Sequence, residues 1–62
     1  MAIRNLNNVK AIQSYAKSQA EALSEVADWL KQNPDAVQLA ISIDESEDWE
    51  TPFYATLFYE IF

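Results

Sequence analysis

The stretch Phe53 to Phe62, FYATLFYEIF, decides the architecture, because it is typical of a β-strand with two apolar faces. Its odd positions carry Phe, Ala, Leu, Tyr and Ile, and its even positions carry Tyr, Thr, Phe, Glu and Phe. Side chains of a strand alternate between its two faces, so both faces of this strand need other residues to pack against them. The rest of the chain has to provide the residues that pack on these two faces.

A second strand precedes this one. Apolar residues alternate with polar or small ones at Val37, Leu39, Ile41 and Ile43, which predicts a half-buried strand over residues 36–44. Residues 45–52 are polar and acidic and join the two strands. The chain contains no Gly to adopt positive φ at low cost, so we expect a loop rather than a two-residue turn. Residues 36–44 and 53–62 are therefore predicted to form an antiparallel hairpin.

The N-terminal half has the periodicity of an amphipathic helix, which we place over residues 8–32. Asn5, Asn7 and Asn8 offer capping side chains, and Asn33-Pro34 ends the helix because proline disfavours helical geometry in the preceding residue. Ser18 to Glu21 also fits a capping box, so a helix could start there, although the uninterrupted periodicity favours one helix. The main apolar series is Val9, Ile12, Ala16, Gln19, Leu23, Val26 and Leu30, and Tyr15, Ala22 and Trp29 widen it.

These elements predict one α+β domain spanning residues 1–62, in which a long N-terminal helix packs on one face of the hairpin that follows it. The other face then keeps Tyr54, Phe58 and Phe62 exposed, a patch that monomers rarely tolerate. The helix, at about 37 Å, would also be longer than a strand of about 26 Å. Both features predict a homo-oligomer, most simply a dimer, with those three aromatics at its interface. The alternative is that Ala2 to Leu6 adds a third strand that partly covers the patch.

Size and composition limit how this domain is stabilised. A chain of 62 residues buries only about 60% of its unfolded surface. Cys and His are both absent, which excludes disulfides and the common zinc and haem ligand sets. A partner chain is the remaining means of stabilisation. Residues 1–8 lack the apolar run of a signal peptide, and no stretch has the length of a membrane span, so we expect a cytoplasmic protein that does not contact membranes.

Charge is distributed unevenly along the chain. Residues 1–35 carry four basic and four acidic side chains, whereas residues 36–62 carry six acidic and no basic ones. One interpretation is a solvated loop that only keeps the protein soluble. The other is a binding site for a protein with a basic surface, in which Trp49 is the anchor unless it folds back onto the helix end. The candidate site comprises Asp44, Glu45, Glu47, Asp48, Trp49 and Glu50.

Metal binding and catalysis are disfavoured. Asp44, Ser46, Asp48 and Glu50 alternate like early calcium ligands, but Trp49 and Ala55 occupy the positions where an EF-hand needs Gly and an acid. Without His, Cys or Gly, the usual general bases, thiolates and phosphate-binding loops are missing, so we expect neither a cofactor nor enzymatic activity. Direct nucleic-acid binding is also disfavoured, because the basic residues are scattered at Arg4, Lys10, Lys17 and Lys31.

Two functions remain. An acidic surface can occupy a basic groove built for phosphates. The first hypothesis is therefore an inhibitor or antitoxin-like protein that blocks a nucleic-acid-binding partner, by analogy in size and charge with compact phage and plasmid proteins. The second hypothesis is a homo-oligomeric structural or adaptor module in which charge serves only solubility.

Overall fold

The architecture is one helix packed on a three-stranded antiparallel sheet, and a computed structural model describes residues 8–61 of it. The last strand in the chain is central, and the chain passes from one edge strand to the other through the helix. The predicted α+β class is confirmed, but the predicted order of elements is wrong because a strand comes first. In chain order the elements are β1 (Lys10–Ala16), α1 (Gln19–Gln32), β2 (Ala36–Glu45) and β3 (Phe53–Ile61).

The predicted helix over residues 8–32 is wrong in its N-terminal part, which forms β1. This strand pairs with β3 from Lys10 opposite Tyr59 to Ala16 opposite Phe53. Ile12 and Ala16 explain the error, because residues four apart share a face in a helix and also in a strand. The central position of β3 gives it a neighbour along each edge, but its two faces are covered unequally, because α1 packs on one and Phe58 stays exposed on the other.

Helix α1 is 14 residues long and begins after Ser18, so the alternative start at the capping box is confirmed. The Ser18 hydroxyl accepts a hydrogen bond from the backbone N–H of Glu21 at 3.2 Å. At the other end, the Asn33 side-chain amide donates to the Trp29 carbonyl at 2.8 Å. The helix ends before Pro34 as predicted. At about 21 Å it does not overshoot the sheet, and that argument for self-association no longer applies.

The core lies between α1 and the facing side of the sheet. Ala22 and Val26 of the helix are buried together with Ala55 and Leu57 of the central strand. The Trp29 ring packs against Tyr59 of β3, with ring centroids 4.7 Å apart and planes tilted by 55°. The row containing Ala22 and Trp29 is therefore the centre of the helix face that contacts the sheet.

Leu23, which the sequence placed in the buried series, is wrongly assigned, because its side chain is 41% exposed. The helix starts at Gln19 rather than continuing from residue 8. Its orientation is consequently set by packing on β3 and not by continuity with Val9, Ile12 and Ala16. The helical spacing of the apolar residues was predicted correctly. It did not determine which of two adjacent rows of side chains on the helix faces the sheet.

Strand β2 contains a bulge that changes which face its residues occupy. The register with β3 shifts between Gln38 and Ala40. After the bulge, Ile41 and Ile43 pack on the core as predicted. Before it, Val37 pairs with Glu60 on the opposite face and is 45% exposed. The prediction that these residues share one buried face is therefore wrong for Val37, because an extra residue in a strand reverses the alternation. It is also wrong for Leu39, which lies at the bulge and is 37% exposed.

Candidate protein-binding surfaces

The connection between β2 and β3, residues 46–52, is called here the acidic loop. Its base is closed by the Ser46 backbone N–H, which donates to the Pro52 carbonyl at 2.7 Å. Within residues 8–61 no residue has positive φ, so the loop makes its turn without the backbone geometry that favours glycine. A long connection in place of a two-residue turn agrees with the prediction from the absence of Gly.

Asp48 organises the acidic loop through both carboxylate oxygens. Oδ1 accepts the Glu50 backbone N–H at 3.0 Å, and Oδ2 accepts the Thr51 hydroxyl at 3.2 Å. The Asp48 backbone N–H itself donates to the Ser46 hydroxyl at 3.1 Å. The sequence grouped Asp48 with the partner-contacting acids, but this arrangement gives it a role in shaping the loop.

Trp49 projects from the acidic loop with 83% of its surface exposed. The alternative that it folds back onto the helix end is therefore wrong. It borders an open groove of about 470 Å³, which is also lined by Lys17, Glu50 and Pro52. Lys17 follows β1 directly, and the pairing of Ala16 with Phe53 brings that connection close to the end of the loop. Nothing in the sequence indicates that Lys17 lies beside Trp49.

The six predicted partner-binding residues do not form one surface. Asp44 and Glu45 are the last residues of β2 and not part of the loop. Asp44 pairs with Tyr54 and Glu45 with Phe53, so the two carboxylates lie on opposite faces of the sheet. Glu47, Asp48, Trp49 and Glu50 all lie in the acidic loop. Asp44 lies in the sheet, opposite Tyr54.

The sheet face opposite α1, called here the open face, carries two of the three predicted interface residues. Tyr54 stacks on Tyr15 of β1 with ring centroids 4.9 Å apart, and it is half-buried. Phe58 pairs with Ala11 on one side and Ala40 on the other, small residues that leave its ring 40% exposed. Phe62 lies outside the described residues, as does the segment Ala2 to Leu6 for which a third strand was considered.

Exposed apolar residues that the sequence did not assign extend the open face. Tyr15 was placed on a helix, and Val37 was given to the other side of β2, yet both lie on this face and are exposed. Between them the Gln13 amide donates to the Thr56 hydroxyl at 3.2 Å, and within residues 8–61 no buried side-chain nitrogen or oxygen lacks a hydrogen-bond partner. An apolar patch on an otherwise satisfied sheet is typical of an interaction surface.

Comparisons with known proteins give no information on function. A scan against protein-family models, a search of curated proteins and a search of solved structures each found no match to this chain. Within residues 8–61, no group of three or more acidic side chains is placed to hold a metal ion. In the same range no helix is long and apolar enough to cross a membrane. Any functional conclusion therefore depends on the two surfaces described above.

Proposed function

We propose that this protein is a small cytoplasmic, non-enzymatic protein-binding protein that uses its acidic loop to engage a partner with a basic surface. The observation that supports this most directly is Trp49, which is 83% exposed and lies in the sequence between the acidic residues Glu47 and Glu50. Trp is enriched at the centres of interfaces, where it contributes a disproportionate share of the binding energy. Contact with a partner protein would explain why this indole is left exposed to water.

The order of the acidic loop adds to this proposal. Hydrogen bonds donated by Ser46, Glu50 and Thr51 favour this loop conformation in the free protein. A preordered loop loses less conformational entropy on binding than a flexible one. A loop that only kept the protein soluble would not require such internal order.

The class of partner follows from charge. All six net negative charges come from residues 36–62, which contain no basic side chain. Carboxylates on such a surface can take the place of phosphates in a basic groove, so the partner we propose is a nucleic-acid-binding protein whose groove this chain blocks. Binding should then be fast, sensitive to salt and in competition with nucleic acid.

The test is affinity capture from the native cytosol at low and high salt, followed by displacement with duplex DNA. The parent is compared with Trp49→Ala and with the double variant Glu47→Gln/Glu50→Gln. A matched control, Asp28→Asn/Asp35→Asn, removes the same charge from exposed positions away from the loop. We expect the loop variants to lose the captured protein while the control retains it. Equal capture by all four proteins would contradict the proposal.

A second function is favoured by the open face. Tyr15, Val37 and Phe58 are exposed apolar residues on one side of the sheet, and a second copy of the chain could cover them. The protein would then be a homo-oligomeric structural or adaptor module, with Tyr54 and Phe58 at the interface. This alternative expects assembly that is insensitive to salt and unaffected by the loop variants. The same capture experiment therefore separates the two functions.

A further inference from the structure

The groove beside the acidic loop combines an aromatic ring, a proline, an acid and a base. Trp49, Glu50 and Pro52 form its loop side, and Lys17 forms the other. We propose that this groove binds one arginine side chain of a partner protein, stacked on the Trp49 indole and paired with the Glu50 carboxylate. The inference rests on the proposed function and goes beyond it by naming the side chain recognised.

Trp49 provides the stacking surface. The indole is 83% exposed, so its ring face is open to a ligand. A guanidinium is planar and weakly hydrated, and it stacks on aromatic faces with a favourable cation–π contribution. The ammonium of lysine is more strongly hydrated and lacks a planar face, so the groove should prefer arginine to lysine.

Glu50 provides the charge partner. Its backbone N–H is held by Asp48 Oδ1 at 3.0 Å, which fixes the position of the residue in the loop. Its side-chain carboxylate makes no hydrogen bond within the part of the chain that the structure describes. Both of its oxygens are therefore available for the two parallel N–H···O bonds that a guanidinium forms with a carboxylate. Asp48 differs, because its two oxygens are already used within the loop.

Lys17 adds one positive charge to the lining of the groove. Its ammonium repels any positive side chain that enters the groove, so the attraction for a cation comes from the Trp49 indole and the Glu50 carboxylate. The same ammonium attracts main-chain carbonyl oxygens, which flank the side chain of any bound arginine. The groove offers one aromatic face and one carboxylate to a cation, and a single arginine side chain within a peptide can use both.

The test is a nuclear magnetic resonance titration of the full chain with three short peptides. These are acetyl-Gly-Arg-Gly-amide and the equivalents with Lys or Gln in the centre. The chain has two Trp residues, so two indole N–H signals are expected, and Trp49→Phe identifies which one belongs to Trp49. Trp29 packs against Tyr59 in the core and is the internal control. We expect the Trp49 signal to shift saturably with the Arg peptide, and with a dissociation constant at least about threefold lower than for the Lys peptide.

Two variants with the same charge change locate the site. Glu50→Gln should weaken Arg binding by about threefold, as expected for an exposed ion pair, and Glu47→Gln should weaken it less. Equal affinity for the Arg and Lys peptides, or equal effects of the two variants, would overturn the arginine site and leave a loop that attracts cations generally. No shift of the Trp49 signal with either cationic peptide would overturn the arginine site, whereas the proposed basic partner is tested separately by the capture experiment.

Discussion

Two leucines show how position determines what a side chain contributes to stability. Leu57 is fully buried at the centre of β3, whereas Leu23 on α1 is 41% exposed. We expect Leu57→Ala to lower the free energy of unfolding by about 2–5 kcal/mol, the range for truncating a buried aliphatic side chain. Leu23→Ala should cost about 1 kcal/mol or less, because it removes little buried area. Urea denaturation followed by circular dichroism measures both, and equal losses would contradict this description of the core.

Asp48 allows a second test at the residue scale. Asp48→Ala removes the acceptors for the Glu50 backbone N–H and the Thr51 hydroxyl. We expect hydrogen exchange at the Glu50 amide to accelerate, by an amount equivalent to about 0.5–1.5 kcal/mol, the usual net contribution of one hydrogen bond. Glu47→Ala is the control, since it removes a neighbouring carboxylate without touching these bonds. If both variants exchanged at the parent's rate, Asp48 would not organise the acidic loop.

At the scale of elements, the Ser18 hydroxyl caps the start of α1. Ser18 is the N-cap, with extended backbone angles of φ −141° and ψ 161°, and it accepts the Glu21 N–H. Ser18→Ala should lower the free energy of unfolding by about 1 kcal/mol. The matched control is Ser24→Ala, an exposed mid-helix position where alanine has the higher helix propensity. Thermal melts would reveal the difference, and a Ser18 variant as stable as the Ser24 variant would argue for a helix that begins earlier.

The residues of the sheet that face α1 were predicted only in part, and the two edge strands explain why. In β1, the spacing of Ile12 and Ala16 fits both a helix and a strand, and pairing with β3 decides between them. In β2, the bulge between Gln38 and Ala40 reverses the alternation, and no residue in that segment signals an insertion. The central strand was predicted correctly because its apolar residues are strongly β-favouring and continuous.

At the scale of the whole molecule, the exposed open face predicts self-association. Phe58 and Leu23 have nearly the same exposure, 40% and 41%, but lie on opposite sides of the domain. If the open face is the interface, Phe58→Ser should dissociate the oligomer, and Leu23→Ser should leave it intact. Light scattering at micromolar concentration measures the mass of each. A parent that is monomeric under these conditions, with melting unchanged by Phe58→Ser, would rule out the homo-oligomer.

The sequence by itself determined the α+β class, the end of the helix before Pro34, the hairpin of β2 and β3, and the acidic character of their connection. These features depend on local chemistry: proline geometry, alternation of apolar residues, the absence of Gly, and charge. Only the tertiary structure decided that residues 10–16 form a strand, that Leu23 is exposed, and that Lys17 lies beside Trp49 and Glu50. These depend on contacts between segments far apart in the chain, where pairing with the central strand outweighs local propensity.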